Sequence, residues 1–197
     1  MESLWRKKLD SKRFYDETAL SYKALYGKEQ TAKYRAALRA LKPLSGTVLD
    51  VGCGPGTLLR EIPITIELVG IDTSIQMLKI ARKAENSYFH LICADVDFLP
   101  FQDKTFGTVF AFTLLQNLPN PQKALHELGR VVRDEGSVVV TFHKSTLTRD
   151  EAYSLLSREY RLLREVETGD EVRDYTFVCR HHRPRREGKG RNGFNPL

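Results

Sequence analysis

The stretch that decides the fold is Val48–Gly56, with the sequence VLDVGCGPG. A short apolar run enters a turn that carries glycine at every second position, at Gly52, Gly54 and Gly56. A strand that ends in such a turn exposes bare backbone to a ligand, because glycine has no Cβ. Glycine turns serve nucleotide folds of many chemistries, so this feature alone does not identify the ligand.

Two details of the turn narrow the choice of ligand. Dinucleotide-binding turns follow the pattern G-x-G-x-x-G, whereas the third glycine here, Gly56, comes one residue early. Asp50 precedes the turn, and its acidic side chain is ill suited to a pyrophosphate but suits a cation such as an ammonium or a sulfonium. We therefore predict a ligand whose cationic end lies near Asp50.

Strand-like and helix-like segments alternate on the C-terminal side of the turn. Strands are predicted at 47–51, 67–72, 89–95, 108–114 and 137–142, and helices at 57–61, 74–84, 121–132 and 149–160. This alternation requires crossover connections, and it predicts an α/β fold with a doubly wound, mostly parallel sheet and helices on both faces.

Both ends of this region depart from the alternation. Residues 12–41 have helical periodicity with a break near Gly27. The last two apolar runs, 161–168 and 172–179, flank Gly169-Asp170 and predict a hairpin, which places an antiparallel strand at the edge of the sheet.

Two further acidic residues follow successive predicted strands. Asp72 ends the second strand, where a carboxylate can accept both hydroxyls of a ribose. Asp95 ends the third, where it can accept a hydrogen bond from an adenine amino group. Together with Asp50 they favour an adenosine ligand that carries a cation over three unrelated surface carboxylates.

The chain resembles class I S-adenosylmethionine-dependent methyltransferases over roughly residues 15 to 180. The stretches that carry the resemblance are Val48–Gly56, Val69–Ser74, Ala94–Phe101, Asp103–Gly107 and Leu128–Val132. The resemblance implies S-adenosylmethionine as cofactor and a seven-stranded sheet whose last strand is antiparallel. We accordingly divide the chain into an N-terminal helical lid (1–44), a methyltransferase domain (45–180) and a tail (181–197) whose basic composition predicts that it is flexible.

The resemblance also assigns a set of cofactor-binding residues. Gly52 and Gly54 would approach the methionine part of the cofactor, with Asp50 near its amino group. Asp72 would hold the ribose, and Asp95 would border the adenine. The complete predicted set is Tyr15, Asp50, Gly52, Cys53, Gly54, Asp72, Thr73, Asp95, Val96 and Leu114.

The catalytic residues are left open by the sequence, because the cofactor carries the reactive group and any base depends on the acceptor. The candidates are His143 after the fifth strand, Asn117 after the fourth and Tyr22 in the lid. Each has an equally plausible structural role, as a solvated strand end, a loop turn or a packing residue. Members of the family that the chain resembles often carry Asn/Asp-Pro-Pro-Tyr/Phe at this point when they methylate planar amide or exocyclic amine nitrogens. Asn117 is followed by Leu-Pro instead, so the resemblance disfavours those acceptors.

Composition bears on the acceptor and on partners. The net charge is +6 over 197 residues, and Arg180–Arg191 contributes +5 of it, from five Arg and one Lys against one Glu. That tail can neutralise phosphates, which favours an RNA or a translation-associated protein as acceptor, while a merely solubilising tail stays open. The alternatives are a small-metabolite methyltransferase and a non-catalytic cofactor-binding subunit that supports a small protein partner.

The remaining expectations concern metal binding, cellular location and oligomeric state. The three cysteines are far apart and lack metal-ligand spacing, so no metal site is expected. We find no apolar run long enough to span a membrane, nor a secretory pattern near the first residue. We therefore expect a cytoplasmic protein, without a membrane partner, that is a monomer or a homodimer.

Overall fold

A computed structural model describes residues 4–41, 43–44, 46–84, 87–169 and 172–182. Seven strands form one sheet in the order β3-β2-β1-β4-β5-β7-β6. The strands are β1 (Val48–Val51), β2 (Leu68–Asp72), β3 (Phe89–Cys93), β4 (Phe106–Ala111), β5 (Val132–His143), β6 (Tyr160–Glu165) and β7 (Asp174–His181). The helices are α1 (Leu4–Ala40), α2 (Ile75–Ala81), α3 (Pro121–Val131) and α4 (Arg149–Ser157). The predicted doubly wound sheet with an antiparallel last strand is confirmed.

The position of the antiparallel strand differs from the expectation. β7 pairs antiparallel with β5 on one side and with β6 on the other, so β6 rather than β7 forms the edge of the sheet. The burial of the two strands explains this order. β7 is buried along most of its length, whereas β6 exposes Arg161, Leu163 and Arg164. Charged side chains on a strand are typical of a sheet edge, where they discourage pairing with another chain.

The core lies on both faces of the sheet because neighbouring strand residues point to opposite sides. Val48 packs with Tyr34 and Ala37 of α1 on one face. Leu49 packs on the other face with Leu125 of α3. α1 and α3 therefore cover opposite faces, as the doubly wound architecture requires.

Several predicted elements have different bounds in the structure, and three of the differences have a clear physical reason. α1 begins at Leu4 and continues without a break through Gly27, since one glycine costs a helix only about 1 kcal/mol. The predicted helix at 57–61 is a single 3-10 turn, and Pro63 shortly after it disfavours a longer helix. The predicted fourth strand ends at Ala111, because Thr113 has a left-handed backbone with φ 54°.

The domain boundaries at 44/45 and 180/181 stay a prediction. β7 extends to His181, the first residue assigned to the tail, and Arg180 donates to Glu135 Oε2 at 2.7 Å. Residues 183–197, which include most of the predicted tail, lie outside the described residues.

The location of the core predicts which leucines stabilise the fold. Leu125 has no exposed surface, whereas Leu20 on α1 is 89% exposed. We expect Leu125→Ala to lower the free energy of unfolding by roughly 2–5 kcal/mol, because it leaves a cavity. Leu20→Ala should change it by about 0.5 kcal/mol or less. Urea denaturation measures both, and equal losses for the two variants would contradict this placement of the core.

Candidate functional site

A cavity of about 160 Å³ lies between α1 and the carboxyl ends of the central strands. The ends of β1, β2, β3 and β4 and the segments that follow them form one wall, and α1 from Trp5 to Tyr22 forms the other. The cavity thus occupies the edge of a parallel sheet where ligands bind in this class of architecture. Of the predicted cofactor residues, those on its wall are Tyr15, Gly52, Gly54, Asp72, Thr73, Asp95, Val96 and Leu114.

The glycine turn presents backbone to this cavity. Gly52 and Gly54 have φ angles of 73° and 52°, a left-handed conformation in which side chains are strained. A Cβ on Gly54 would meet no atom within 4 Å, so this face of the turn is open to a ligand. The amides of Gly52 and Cys53 both donate to the Ile71 carbonyl, at 2.8 and 2.9 Å, and this ties the turn to β2.

Asp72 is held rigidly beside the turn. Its Oδ2 accepts from the Gly54 amide at 2.9 Å, and its Oδ1 accepts from the Ser74 amide at 2.8 Å. Burial raises the pKa of this carboxyl above its usual range, and the backbone donors oppose that rise. A carboxylate oxygen has two lone pairs, so both oxygens can still accept from ligand hydroxyls on the cavity side.

Asp95 is engaged by α1. Lys8 Nζ donates to both of its carboxylate oxygens at 2.7 Å and reaches Asp97 Oδ2 at 2.5 Å. An amino group that hydrogen-bonds to Asp95 must therefore compete with, or sit beside, the Lys8 ammonium. Sequence reasoning missed Lys8 because the predicted helix began at residue 12. The spacing of Lys8, Lys12 and Tyr15 on one helix face was the signal that could have identified it.

Asp50 and Cys53 do not line the cavity. Cys53 is buried against β2, where a Cβ on Gly70 would lie 3.0 Å from its Sγ. Burial raises the pKa of this thiol well above its usual value, so it is not a thiolate nucleophile. The local role of Cys53 is to fill a crowded turn.

The Asp50 carboxyl is buried beneath the turn with one oxygen unsatisfied. Its Oδ1 accepts from the Tyr34 hydroxyl at 3.4 Å, and its Oδ2 has no hydrogen-bond partner among the described residues. Burial, followed by the negative charge of Asp72, raises its pKa to about 8. A cationic group bound nearby would favour the ionised form, and the orphaned oxygen is thus compatible with the predicted ammonium or sulfonium.

The three catalytic candidates have different surroundings. His143 lies outside the cavity wall, with its Nδ1 2.7 Å from Ser145 Oγ. Tyr22 lies on the wall, and burial raises the pKa of its phenol, so it is protonated at neutral pH and is not a base. Asn117 also lies on the wall, and its Nδ2 donates to Tyr15 Oη at 2.9 Å and to the Thr113 carbonyl at 2.8 Å. The geometry therefore favours Asn117 and Tyr22 over His143 as residues that meet a substrate, and their roles stay a prediction.

The described residues provide neither a metal-binding cluster nor a membrane-spanning helix. They contain no group of three or more His, Cys, Asp and Glu side chains placed to hold a metal ion. None of the described helices combines the length and apolar character that crossing a membrane requires.

The chain is similar in sequence to a methyltransferase family and to several curated proteins. The profile of a family described as "Methyltransferase domain" matches residues 49–140. An uncharacterized protein of Methanocaldococcus jannaschii is 35% identical over 137 residues, which are 69% of this chain and 53% of that protein. A phosphatidylethanolamine N-methyltransferase of Cereibacter sphaeroides is 34% identical over 139 residues, which are 65% of this chain and 68% of that enzyme. Apart from that enzyme, the chain spans about half the length of the curated relatives it matches.

Solved structures share the fold at low sequence identity. Magnesium protoporphyrin IX methyltransferase from Synechocystis, solved with bound S-adenosylmethionine, has a TM-score of 0.74 and 17% identity, over 89% of this chain and 97% of that one. A methyltransferase solved in complex with the Haloferax volcanii activator Trm112 has a TM-score of 0.72 and 17% identity, over 86% and 98% of the two chains. Both similarities concern the fold alone.

The buried Asp50 predicts a pH dependence of stability. Between about pH 4 and pH 8 the folded state retains a proton that the unfolded carboxyl has released, so the free energy of unfolding falls as the pH rises. Asp50→Asn abolishes this contribution. We expect the stability of the variant relative to the unmodified protein to increase by roughly 2–4 kcal/mol from pH 5 to pH 8.

Urea denaturation at the two pH values measures this difference. Asp150→Asn, a change of an exposed carboxylate on α4, serves as the matched control and should leave the pH dependence unaltered. An Asp50→Asn variant whose stability runs parallel to that of the unmodified protein at both pH values would contradict a raised pKa.

Proposed function

The chain belongs to the class I S-adenosylmethionine-dependent methyltransferases, and from that premise we propose that it methylates a small amphiphilic acceptor, preferably at an amine nitrogen. The cofactor supplies an electrophilic methyl group on a sulfonium. The proposed role of the chain is to bind the cofactor at the carboxyl ends of β1, β2, β3 and β4, and to align the acceptor for in-line displacement.

Different residues of the cavity wall are proposed to bind different parts of the cofactor. The bare backbone of Gly52 and Gly54 would accommodate the methionine part. Asp72, fixed by two backbone amides, would accept the ribose hydroxyls, and Asp95 with Val96 would border the adenine. Asp50 does not line the cavity, so it would stabilise the cationic end of the cofactor through its charge, from beneath the turn.

The observation that carries the acceptor proposal is the aromatic, apolar lining of the cavity beyond the glycine turn. Tyr22, Phe112 and Leu118 contribute to this part of the wall, and α1 lies over it. A site lined in this way desolvates an apolar group and favours a small molecule with an apolar portion. The phosphatidylethanolamine N-methyltransferase relative is named for an amphiphilic amine, which supports the same class.

The residues of the cavity wall favour an acceptor whose nucleophile needs no strong base. Among the described residues the wall includes no histidine, and its two carboxylates, Asp72 and Asp95, are assigned to the cofactor. Burial raises the pKa of both Tyr15 and Tyr22. A neutral amine can attack first and lose its proton afterwards. An alcohol or an amide, in contrast, must lose a proton during the attack.

A second candidate is an RNA or translation-associated acceptor. It is favoured by a groove on the outer side of α1 that is lined by Lys28, Arg35, Arg39 and Arg60. Side chains of this kind neutralise phosphates, and the arginine-rich segment up to Arg191 would add to their charge. The likeness to a methyltransferase solved with a small activator protein suggests testing such a partner in the same assay.

Labelled-methyl transfer distinguishes these candidates. The protein is incubated with S-adenosylmethionine labelled in the methyl group and with cell RNA, cell protein, and organic-solvent-soluble or polar metabolites. We expect label in the organic-solvent-soluble fraction. Label in RNA that disappears on truncation after Arg180 would favour the second candidate and overturn the first. Cofactor binding without transfer to any fraction would favour a non-catalytic subunit.

The ribose assignment predicts a loss of cofactor affinity. Asp72→Ala should weaken S-adenosylmethionine binding by about 10- to 100-fold, because it deletes a charged acceptor of two hydrogen bonds. Isothermal titration calorimetry measures the effect, and Asp150→Ala on the exposed face of α4 is the control. Unchanged affinity of Asp72→Ala would refute the assignment.

A further inference from the structure

Thr113 follows β4 at the cavity wall and has an unusual backbone. Its φ of 54° lies in the left-handed region, which is uncommon for any residue other than glycine and strained for a β-branched one. Such a conformation persists only where the surrounding contacts determine it. The contacts of Thr113 therefore indicate what the strain serves.

Every polar group of Thr113 has a partner from a different element. Its amide donates to Thr141 Oγ1 in β5 at 2.8 Å. Its carbonyl accepts from Asn117 Nδ2 at 2.8 Å. Its hydroxyl donates to Asp174 Oδ2 in β7 at 3.1 Å and accepts from Lys33 Nζ in α1 at 3.2 Å. The hydroxyl is thus fully engaged inside the protein and is not offered to a substrate.

Gln30 Nε2 of α1 also donates to the hydroxyl at 3.3 Å, and the other two partners form a buried ion pair. Lys33 and Asp174 are each 1% exposed, and the Lys33 Nζ to Asp174 Oδ2 distance is 2.8 Å. Glu29 Oε1 lies 3.3 Å from Lys33 Nζ and so links the pair to the surface of α1. A buried ion pair adds little net stability, because both charges are desolvated. Its presence behind a strained residue at the cavity favours a role in fixing local conformation.

The residue that this arrangement orients toward the cavity is Asn117. The Thr113 carbonyl can only accept, so the atom of Asn117 that faces it must be the amide nitrogen. The second amide proton goes to Tyr15 Oη at 2.9 Å. Both donors are therefore used, and Asn117 Oδ1 is left as an acceptor on the same side chain. Because Tyr15 Oη accepts from Asn117, it keeps its own proton to donate.

We propose that Asn117 Oδ1 and Tyr15 Oη form the hydrogen-bonding pair that orients the methyl acceptor, and that the buried Lys33–Asp174 pair positions them through Thr113. Asn117 Oδ1 accepts from an N–H or O–H group of the acceptor next to the reacting atom. Tyr15 Oη donates to an oxygen of the acceptor or to an atom bonded to the nucleophile. Lys33 and Asp174 do not touch the acceptor and are positioning residues. The inference rests on the proposed function. It adds to that function the residues that select an acceptor with an N–H or O–H group of its own.

The kinetic test uses the full chain with labelled S-adenosylmethionine and phosphatidylethanolamine in detergent micelles. Asn117→Ala and Thr113→Val should each lower kcat/KM for the lipid by about 10-fold, the equivalent of one neutral hydrogen bond. Affinity for S-adenosylmethionine, measured by calorimetry, should stay within about two-fold of the unmodified protein. Thr113→Ser should restore most of the activity, because serine keeps the hydroxyl.

Matched variants separate positioning from folding. Tyr15→Phe should lower kcat/KM, whereas Tyr153→Phe, a change of a half-exposed tyrosine on α4, should not. The double variant Lys33→Met, Asp174→Leu removes both buried charges together and should fold, since Glu29 keeps its ion pair with Arg173 and no buried charge is left unpaired. It should nevertheless lose activity to a similar extent as Thr113→Val. Asn117→Ala with normal kcat/KM and normal cofactor affinity would overturn the proposal.

If phosphatidylethanolamine is not methylated, that result contradicts only the choice of this lipid as acceptor. A measurement that needs no acceptor then tests the positioning role. In a ¹⁵N NMR spectrum the two side-chain amide protons of Asn117 should exchange slowly with solvent, since both are hydrogen-bonded. The Lys33→Met, Asp174→Leu variant should shift these resonances and speed their exchange. Unchanged Asn117 signals in that variant would overturn the positioning role.

Discussion

The parallel pairing of β1 with β2 and β4 is the constraint on which the site depends. The register pairs Asp50 with Gly70 on one side and with Phe110 on the other, so the carboxyl ends of the three strands reach the same edge. The glycine turn then meets Asp72, which accepts a hydrogen bond from the Gly54 amide. Residues far apart in the chain become one cavity wall because their strands run in the same direction.

α1 completes the site from outside the sheet, with two kinds of contact. Its C-terminal part is buried through Tyr34 and Ala37 against the sheet, and Lys33 forms its ion pair there. Its N-terminal part contacts the site through polar pairs, such as Lys8 with Asp95 and Asp16 with Ser74 Oγ at 2.6 Å. Polar pairs of this kind exchange with ligand groups at lower cost than apolar packing does. The lid role of the N-terminal segment stays a prediction, with which this difference is compatible.

The sequence was sufficient for the fold class and for the cavity wall nearest the glycine turn, because those features are local. The run at Val48–Val51 and the turn after it follow from adjacent residues. The order of β6 and β7 was not local, since it depends on which strand is buried on both faces. Lys33 and Asp174 were also beyond sequence reasoning: the two residues are 141 positions apart, and their contact exists only once α1 packs across β7. The conformation of Thr113 is likewise determined by tertiary contacts rather than by a turn residue.

The central claim is that the cofactor binds at the carboxyl ends of β1, β2, β3 and β4. A ¹⁵N-labelled sample titrated with S-adenosylhomocysteine tests it most directly, because each backbone amide reports its own surroundings. The largest shifts are predicted at Gly54, Thr73, Val96 and Leu114, which lie on the cavity wall. Gly129 and Gly136, near the opposite end of the sheet, should not shift. Shifts concentrated elsewhere, or no shifts at saturating ligand, would contradict the account.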